Sequence, residues 1–215
     1  MHEHFETFRA QAASLRDGEG LPRFVEAEFR NLVNGCLANG RGEAAEYLAG
    51  LGALLDLEGA AGVGRIDLVE GFFNADGSLK ASASAAQMPD GFTWACEYGR
   101  FEAVEFLLRR GMDVNARLRP HQQTGLHFAA YGGNANIVKA LLKRGARVDA
   151  TDETLGTTPL FWAIYAWSEE PMAPPARCHE VVRALVAGGS VIKSEWLQEP
   201  KVLADSNMVA APMST

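Results

Sequence analysis

The sequence predicts an all-α solenoid in which about five short helix-turn-helix repeats stack side by side. Apolar segments centred on Ala95, Ala129 and Ala163 recur at intervals of 34 residues. A second apolar stripe follows each segment after a glycine-containing turn, and this stripe ends in basic residues and glycine in two copies. A fixed period between 20 and 50 residues is the sequence signature of a repeat architecture.

The first helix of each repeat is identified by aligning three segments of the chain. The aligned segments are 93–99, 127–133 and 161–165. In this alignment Trp94, Phe128 and Trp162 occupy one position. We interpret these three aromatic residues as part of the core.

The second helix of each repeat carries apolar residues at helical spacing. Residues 102–111 match residues 136–145, and Val104 with Leu107 and Leu108 forms the apolar stripe of the first copy. Basic residues at the end of this helix complement its dipole, and Gly111 permits a left-handed cap.

An insertion precedes the last copy of the second helix. Residues 180–189 follow the preceding copy by 44 residues, so about ten residues have been added between the two helices. The proline-rich segment 167–175 is predicted to be this insertion, with Cys178 and His179 at the turn that follows it.

Two further motifs resemble those of the ankyrin repeat. Thr158-Pro159-Leu160-Phe161 and Thr124-Gly125-Leu126-His127 are similar to the Thr-Pro-Leu-His start of its first helix, and residues 111–116 and 145–150 are similar to its Gly-Ala-Asp-Val-Asn-Ala segment. The resemblance implies an ankyrin-type solenoid that binds other proteins on its concave face. It also implies that the His127 ring forms hydrogen bonds with the backbone.

Two weaker copies precede the three clear ones, in residues 39–53 and 59–73. We therefore expect an array over residues 31–192 flanked by helical caps, because such arrays must cover the apolar faces of their terminal units. The expected parts are an N-terminal cap or extension (1–30), five repeats (31–56, 57–87, 88–120, 121–154 and 155–192), and a C-terminal capping helix and tail (193–215).

Residues 5–30, which precede the array, resemble the opening of some bacterial insertion-sequence transposases, especially in the segment 20–30. The cysteine-rich metal-binding segment that follows in those proteins is absent from this sequence. A capping helix and a rearranged gene start are the other interpretations. Residues 1–32 contain four basic and six acidic side chains, which does not favour binding to phosphate groups.

Charge and hydropathy favour a cytoplasmic protein that binds another protein. The net charge is −7, although residues 100–147 contain nine basic and only three acidic side chains. The acidic total argues against nucleic acid as the main partner. We find neither a membrane-spanning segment nor a signal peptide in the sequence and expect no membrane association.

The sequence offers no set of residues suited to catalysis. Cys36, Cys96 and Cys178 are too few and too far apart for a paired-cysteine zinc site, and core positions explain Cys36 and Cys96. The glycine-rich segment 59–64 lacks the Gly-Lys-Ser/Thr ending of a phosphate-binding loop. We therefore expect a non-catalytic protein with no cofactor, metal or small-molecule substrate.

The family resemblance implies a set of partner-binding positions along the first helices and connectors. Aromatic residues in such positions provide large contact areas at low entropic cost. The predicted partner-binding residues are Glu97, Tyr98, Arg117, Arg119, His121, Tyr131, Tyr165 and Trp167. Alternatively, one or more of these aromatic side chains cover neighbouring repeats.

The expected partner is a protein with a partly acidic surface, because the connector and the middle repeats are basic. The alternative is a nucleic-acid-associated regulator that uses the basic middle repeats and the N-terminal segment.

Overall fold

The computed structural model describes residues 32–118, 121–169, 173–193, 196–198 and 200–210. The helices in these residues are α1 (32–38), α2 (Gly42–Gly50), α3 (Leu57–Val63), α4 (Ile66–Gly71), α5 (Gln87–Glu97), α6 (Phe101–Arg109), α7 (Gly125–Tyr131), α8 (Ala135–Lys143), α9 (Pro159–Ser168), α10 (Pro175–Ala187), a 3₁₀ turn (Trp196–Gln198), α11 (Pro200–Ala204) and α12 (Ser206–Ala210). Two isolated β-bridges are the only extended pairings within the described ranges.

The helices α1 to α10 form five consecutive pairs, which we call pairs 1 to 5. The first helices stack in the order α3, α5, α7 and α9, and the second helices in the order α4, α6, α8 and α10. Each pair thus packs against its neighbours in sequence. The predicted all-α solenoid of stacked helix pairs is confirmed.

Apolar faces of successive pairs form one main core. Its second-helix members include Val104, Leu107, Ile137 and Leu141, all at most 1% exposed. These residues belong to the apolar stripes seen in the sequence. Such stripes are buried only when a helix pair packs on each side of them. A smaller cluster of Val33, Leu37, Ala45 and Leu48 joins α1 to α2.

Threonine residues fix the start of two first helices. Thr124 and Thr158 have extended backbones, and the Thr158 hydroxyl accepts a hydrogen bond from the Phe161 amide at 3.4 Å. Such caps satisfy amides that have no partner inside the helix. The helix α5 has no threonine at the equivalent position, Asp90, and begins earlier at Gln87.

His127 connects pair 4 to pair 5. Its Nε2 lies 3.1 Å from the Thr157 carbonyl oxygen, which can only accept, so Nε2 carries the proton. Nδ1 then accepts from the Thr124 amide at 3.1 Å. Burial lowers the pKa of His127 to about 4, although the hydrogen bond to Thr157 acts in the opposite direction. The ring is therefore neutral at physiological pH.

Polar side chains at the start of second helices also join neighbouring pairs. The Asn134 amide donates to the carbonyl oxygens of Cys96 and Glu97 at 2.8 and 2.7 Å. Arg100 Nε donates to the Gly62 carbonyl oxygen at 3.0 Å, and Arg177 Nε donates to that of Gly133 at 3.1 Å. Each bond satisfies a carbonyl group that the end of a helix leaves without a partner.

The predicted insertion, residues 167–175, is helical at both of its ends. The helix α9 continues through Trp167 to Ser168, and α10 begins at Pro175, where a proline is compatible with the first helical turn. The prediction that Cys178 and His179 lie at a turn is therefore wrong, because both are buried inside α10.

The C-terminal segment packs on the last pair. Val202 of α11 and Met208 of α12 are buried in the main core. His179 Nε2 lies 2.8 Å from an Asp205 carboxylate oxygen, and Lys201 Nζ lies 2.9 Å from that of Glu169. The expected N-terminal cap, residues 1–30, lies outside the described residues.

Candidate partner-binding site

An apolar groove opens between the first helices of pairs 4 and 5 and the connectors that precede these two pairs. We call it the aromatic groove, and its volume is about 460 Å³. Its lining residues are His121, Gln123, Tyr131, Asp152, Thr154, Leu155, Thr157, Phe161, Trp162 and Tyr165.

Trp162 lines this groove and packs against three rings of α7. Its ring lies edge to face against Tyr131, with the ring centroids 5.6 Å apart, and against the buried rings of Phe128 and His127. Phe161 and Tyr165 stack at 6.4 Å on the same helix. Because these rings support one another, the groove exists before any partner binds.

Asp152 stabilises the connector between pairs 4 and 5, which forms one wall of the groove. Its carboxylate accepts hydrogen bonds from the amides of Thr154 and Leu155 at 2.9 and 2.8 Å, and from the Thr157 hydroxyl. Burial alone would raise the pKa of Asp152, but these hydrogen bonds outweigh it and lower the pKa to about 2. The Trp162 indole N–H donates to the Thr157 hydroxyl at 2.9 Å.

The rim of the groove exposes apolar surface. Leu155 is 76% exposed at the tip of the connector, and Tyr165 is 39% exposed on α9. With the carboxylate of Asp152 and the indole N–H of Trp162 already bonded within the chain, the groove is suited to apolar side chains.

A second cavity, which we call the Glu97 hollow, lies at the ends of the first helices and has a volume of about 560 Å³. It is lined by Gly40, Arg41, Gly42, Glu43, Ala44, Glu46, Glu97, Tyr98, Arg100, Gly132, Asn134 and Arg177. Burial raises the pKa of Glu97 to about 7.

Tyr98 is partly buried against pair 1, away from the aromatic groove. Its hydroxyl donates to the Leu37 carbonyl oxygen at 2.5 Å, and a Cβ atom on Gly42 would lie 2.7 Å from its ring. Burial and the nearby Glu97 carboxyl group raise the pKa of Tyr98 above its usual range. Tyr98 thus covers pair 1, which is the alternative role expected for one of the aromatic residues.

The connector residues have different environments. The Arg117 guanidinium is exposed but donates to the carbonyl oxygens of Gln122 and Thr151 at 2.9 and 2.6 Å. His121 lines the aromatic groove. Arg119 lies outside the described residues.

Of the eight residues predicted to bind a partner, the structure brings His121, Tyr131 and Tyr165 together in the aromatic groove. Glu97 and Tyr98 line the neighbouring hollow. Trp167 lines a third cavity, beside Tyr165 and the C-terminal segment.

Comparison with known proteins identifies the repeats. Residues 92–195 match the family model for ankyrin repeats, in three copies. This part of the chain belongs to the ankyrin repeat family.

The chain is similar to short segments of larger proteins. It is 43% identical over 60 residues to the E3 ubiquitin-protein ligase hecd-1 of Caenorhabditis elegans, which covers 28% of this chain and 2% of that protein. It is 39% identical over 71 residues to the palmitoyltransferase Hip14 of Drosophila melanogaster, covering 32% of this chain and 11% of that protein. The aligned segments therefore span only a small part of these relatives.

Seven lining residues of the aromatic groove were not among the predicted site residues, and two of them, Phe161 and Leu155, depart from the repeat motif. Phe161 occupies the position that histidine takes in Thr-Pro-Leu-His, and Leu155 is an apolar residue in a polar connector. Both departures from the motif were visible in the sequence. Trp162 and Trp94 are only partly buried, so the prediction that they are core residues holds fully only for Phe128.

Among the described residues, no group of three or more His, Cys, Asp or Glu side chains is arranged to hold a metal ion. No described helix is both long and apolar enough to cross a membrane.

Proposed function

We propose that this chain is a non-catalytic protein-binding module and that the aromatic groove holds an apolar side chain of a partner segment. The observation that carries this proposal is the exposed apolar rim of a groove whose aromatic floor is already packed. In the ankyrin family the first helices and connectors line the concave, partner-binding face.

The proposed contact residues are Tyr131, Trp162, Tyr165, Leu155 and His121. Aromatic residues contribute much of the binding energy at protein interfaces. A preformed groove also avoids the cost of ordering side chains when the partner binds. The proposed array comprises the five helix pairs within residues 31–192, with residues 193–215 as its cap.

The exposed apolar surface of the groove supports partner binding better than the basic side chains of the middle repeats do. Many of the basic groups in residues 100–147 have partners within the chain. Arg144 pairs with Glu105 at 2.7 Å, Arg110 lies over the rings of Phe73 and Phe106, and Arg117 bonds to carbonyl groups. An acidic partner surface and the nucleic-acid alternative have correspondingly less support.

Selection of peptides from a random library tests the groove. Peptides selected on the purified chain should share an aromatic or large aliphatic residue. Tyr165→Ala combined with Leu155→Ser should weaken their binding at least tenfold, because both changes remove exposed apolar contact area while leaving the buried core intact.

Val191→Ser is the matched control, because Val191 is 68% exposed and lies outside the groove. Equal binding to the wild type and the double variant would contradict the proposed groove. Titration with duplex DNA over a salt series tests the nucleic-acid alternative, which requires affinity that falls steeply with salt.

A further inference from the structure

Glu97, Tyr131 and Tyr165 occupy equivalent positions in three consecutive repeats. They are spaced 34 residues apart, and each lies in the last turns of a first helix. Because α5 packs on α7 and α7 packs on α9, these positions follow one line along the stack. The line therefore carries one carboxyl group followed by two phenol groups.

The Glu97 carboxyl group has no ion-pair or hydrogen-bond partner among the described residues. Two neighbouring cations are engaged elsewhere. Arg100 pairs with Glu46 and donates to the Gly62 carbonyl oxygen, and Arg177 donates to Asn134 and to the carbonyl oxygen of Gly133.

Burial of an unpaired carboxylate is unfavourable, and a cation at this position would compensate for it. The raised pKa of Glu97 reflects this cost, because its cause is burial without any contribution from a neighbouring arginine. The hollow is open to solvent, so a side chain from outside can enter it.

We propose that Glu97 receives a lysine or arginine side chain from the same partner segment that places an apolar side chain in the aromatic groove. This inference rests on the proposed function. The partner would thus be an extended segment with one basic and one apolar residue.

The spacing between these two partner residues follows from the stack. Neighbouring packed helices lie roughly 8–10 Å apart, and an extended chain advances about 3.3 Å per residue. The basic residue should therefore lie about three residues from a side chain over Tyr131, and about six from one over Tyr165.

The charges that face Glu97 come from several elements. They are Arg41, Glu43 and Glu46 at the start of α2, Tyr98 and Arg100 after α5, and Arg177 from α10. The hollow contains equal numbers of cationic and carboxylate side chains, so its net charge repels neither a cation nor an anion. The unpaired carboxylate is what favours a cationic side chain.

Nuclear magnetic resonance titration with two small probes tests this inference. The probes are N-acetyl-lysine amide, which is cationic, and N-acetyl-norleucine amide, which has an uncharged chain of similar length. The lysine probe should shift the amide signals of Glu97 and Tyr98 in a saturable manner at pH 8. Glu97→Gln should abolish this response and retain the fold, because glutamine has the same shape and no charge.

Glu102→Gln serves as the matched control, because Glu102 is exposed on the second helix of the same repeat. Affinity for the lysine probe should be about tenfold lower at pH 6 than at pH 8, since a carboxyl group with a pKa near 7 is mostly protonated at pH 6. An equal response in the wild type and Glu97→Gln would overturn the inference.

The two probes also separate this inference from the proposed function. Shifts at Tyr131 and Tyr165 with the norleucine probe report on the aromatic groove alone. Their absence would count against the groove, whereas loss of lysine binding at Glu97 would count against the basic residue alone.

Discussion

The two halves of the stack use different residues to hold neighbouring repeats together. In pairs 4 and 5, threonine caps and the His127 bridge join neighbouring repeats through polar groups of the ankyrin motif. In pairs 1 and 2, small residues leave space, and large side chains from pair 3 fill it. A Cβ atom on Gly62 would lie 2.4 Å from Leu37 and 3.0 Å from Trp94.

This difference shows that a repeat can depart from its family motif when its neighbour compensates. Trp94 reaches back to pair 2, where its indole N–H donates to Glu58 at 2.9 Å, and Tyr98 reaches pair 1. The packing of pairs 1 and 2 therefore depends on residues of pair 3. Substitutions in each half should consequently have different effects.

The largest effect is expected for Gly132→Ala in the C-terminal half. A Cβ atom on Gly132 would lie 1.9 Å from the Glu97 carbonyl oxygen, so the backbone of two repeats must move apart. We expect a loss of about 3 kcal/mol or more in the free energy of unfolding, measured by urea denaturation. Gly62→Ala should cost less, about 1 to 2 kcal/mol, because a flexible leucine side chain can move aside.

Gly35→Ala is the control for these two variants. Gly35 lies within α1, and a Cβ atom there would have no neighbour within 4 Å. This change should stabilise the protein by up to about 1 kcal/mol, because alanine favours the helix. If Gly62→Ala cost as much as Gly132→Ala, the N-terminal half would be as rigid as the C-terminal half and the comparison would fail.

The next largest effect concerns the pH dependence of the His127 bridge. The pKa of His127 falls from 6.5 to about 4 on folding, so the unfolded chain binds a proton between these values and the folded chain does not. This group therefore stabilises the fold above pH 6.5, and the contribution is lost as the pH falls towards 4. The full loss is about 3 kcal/mol.

The measurement is the difference in unfolding free energy between the wild type and His127→Asn over this pH range. Taking the difference removes the opposite contribution of Glu97, whose raised pKa stabilises the fold as the pH falls below 7. The advantage of the wild type should shrink steadily towards pH 4. A difference that stays constant with pH would show that His127 is not held neutral.

The regular part of the fold could be predicted from the sequence because its signals are local. The 34-residue spacing, the apolar stripes and the glycine ends of α6 and α8 each depend on a few adjacent residues, and Gly111 and Gly145 adopt the positive φ angles expected of them. The start of α10 could not be predicted in this way. One residue of its extra turn, His179, contacts Asp205, which lies 26 residues further along the chain.

The candidate site was less predictable, because side-chain direction depends on the neighbouring repeat. Tyr98 and Tyr131 are both tyrosines at the end of a first helix, but they are one position apart in the repeat. Tyr131 aligns with Glu97 and Tyr165, whereas Tyr98 aligns with Gly132. That single position directs Tyr98 towards the space beside Gly42. The sequence alignment shows this difference in position, but only the packing shows where the Tyr98 side chain lies.

The smallest effect we expect is that of Tyr98→Phe, which tests whether pair 3 holds pair 1 in place. Removing the hydroxyl breaks its hydrogen bond to Leu37 but leaves the ring in position. The Leu37 carbonyl oxygen still accepts from the Gly40 amide at 3.2 Å, so the cost should be about 1 kcal/mol or less. Amide hydrogen exchange should accelerate in α1 and α2 but not in α8, whereas Tyr165→Phe should alter neither region. Equal acceleration in α8 would mean that both halves open as one cooperative unit, and the compensation by pair 3 would then be a property of the whole stack.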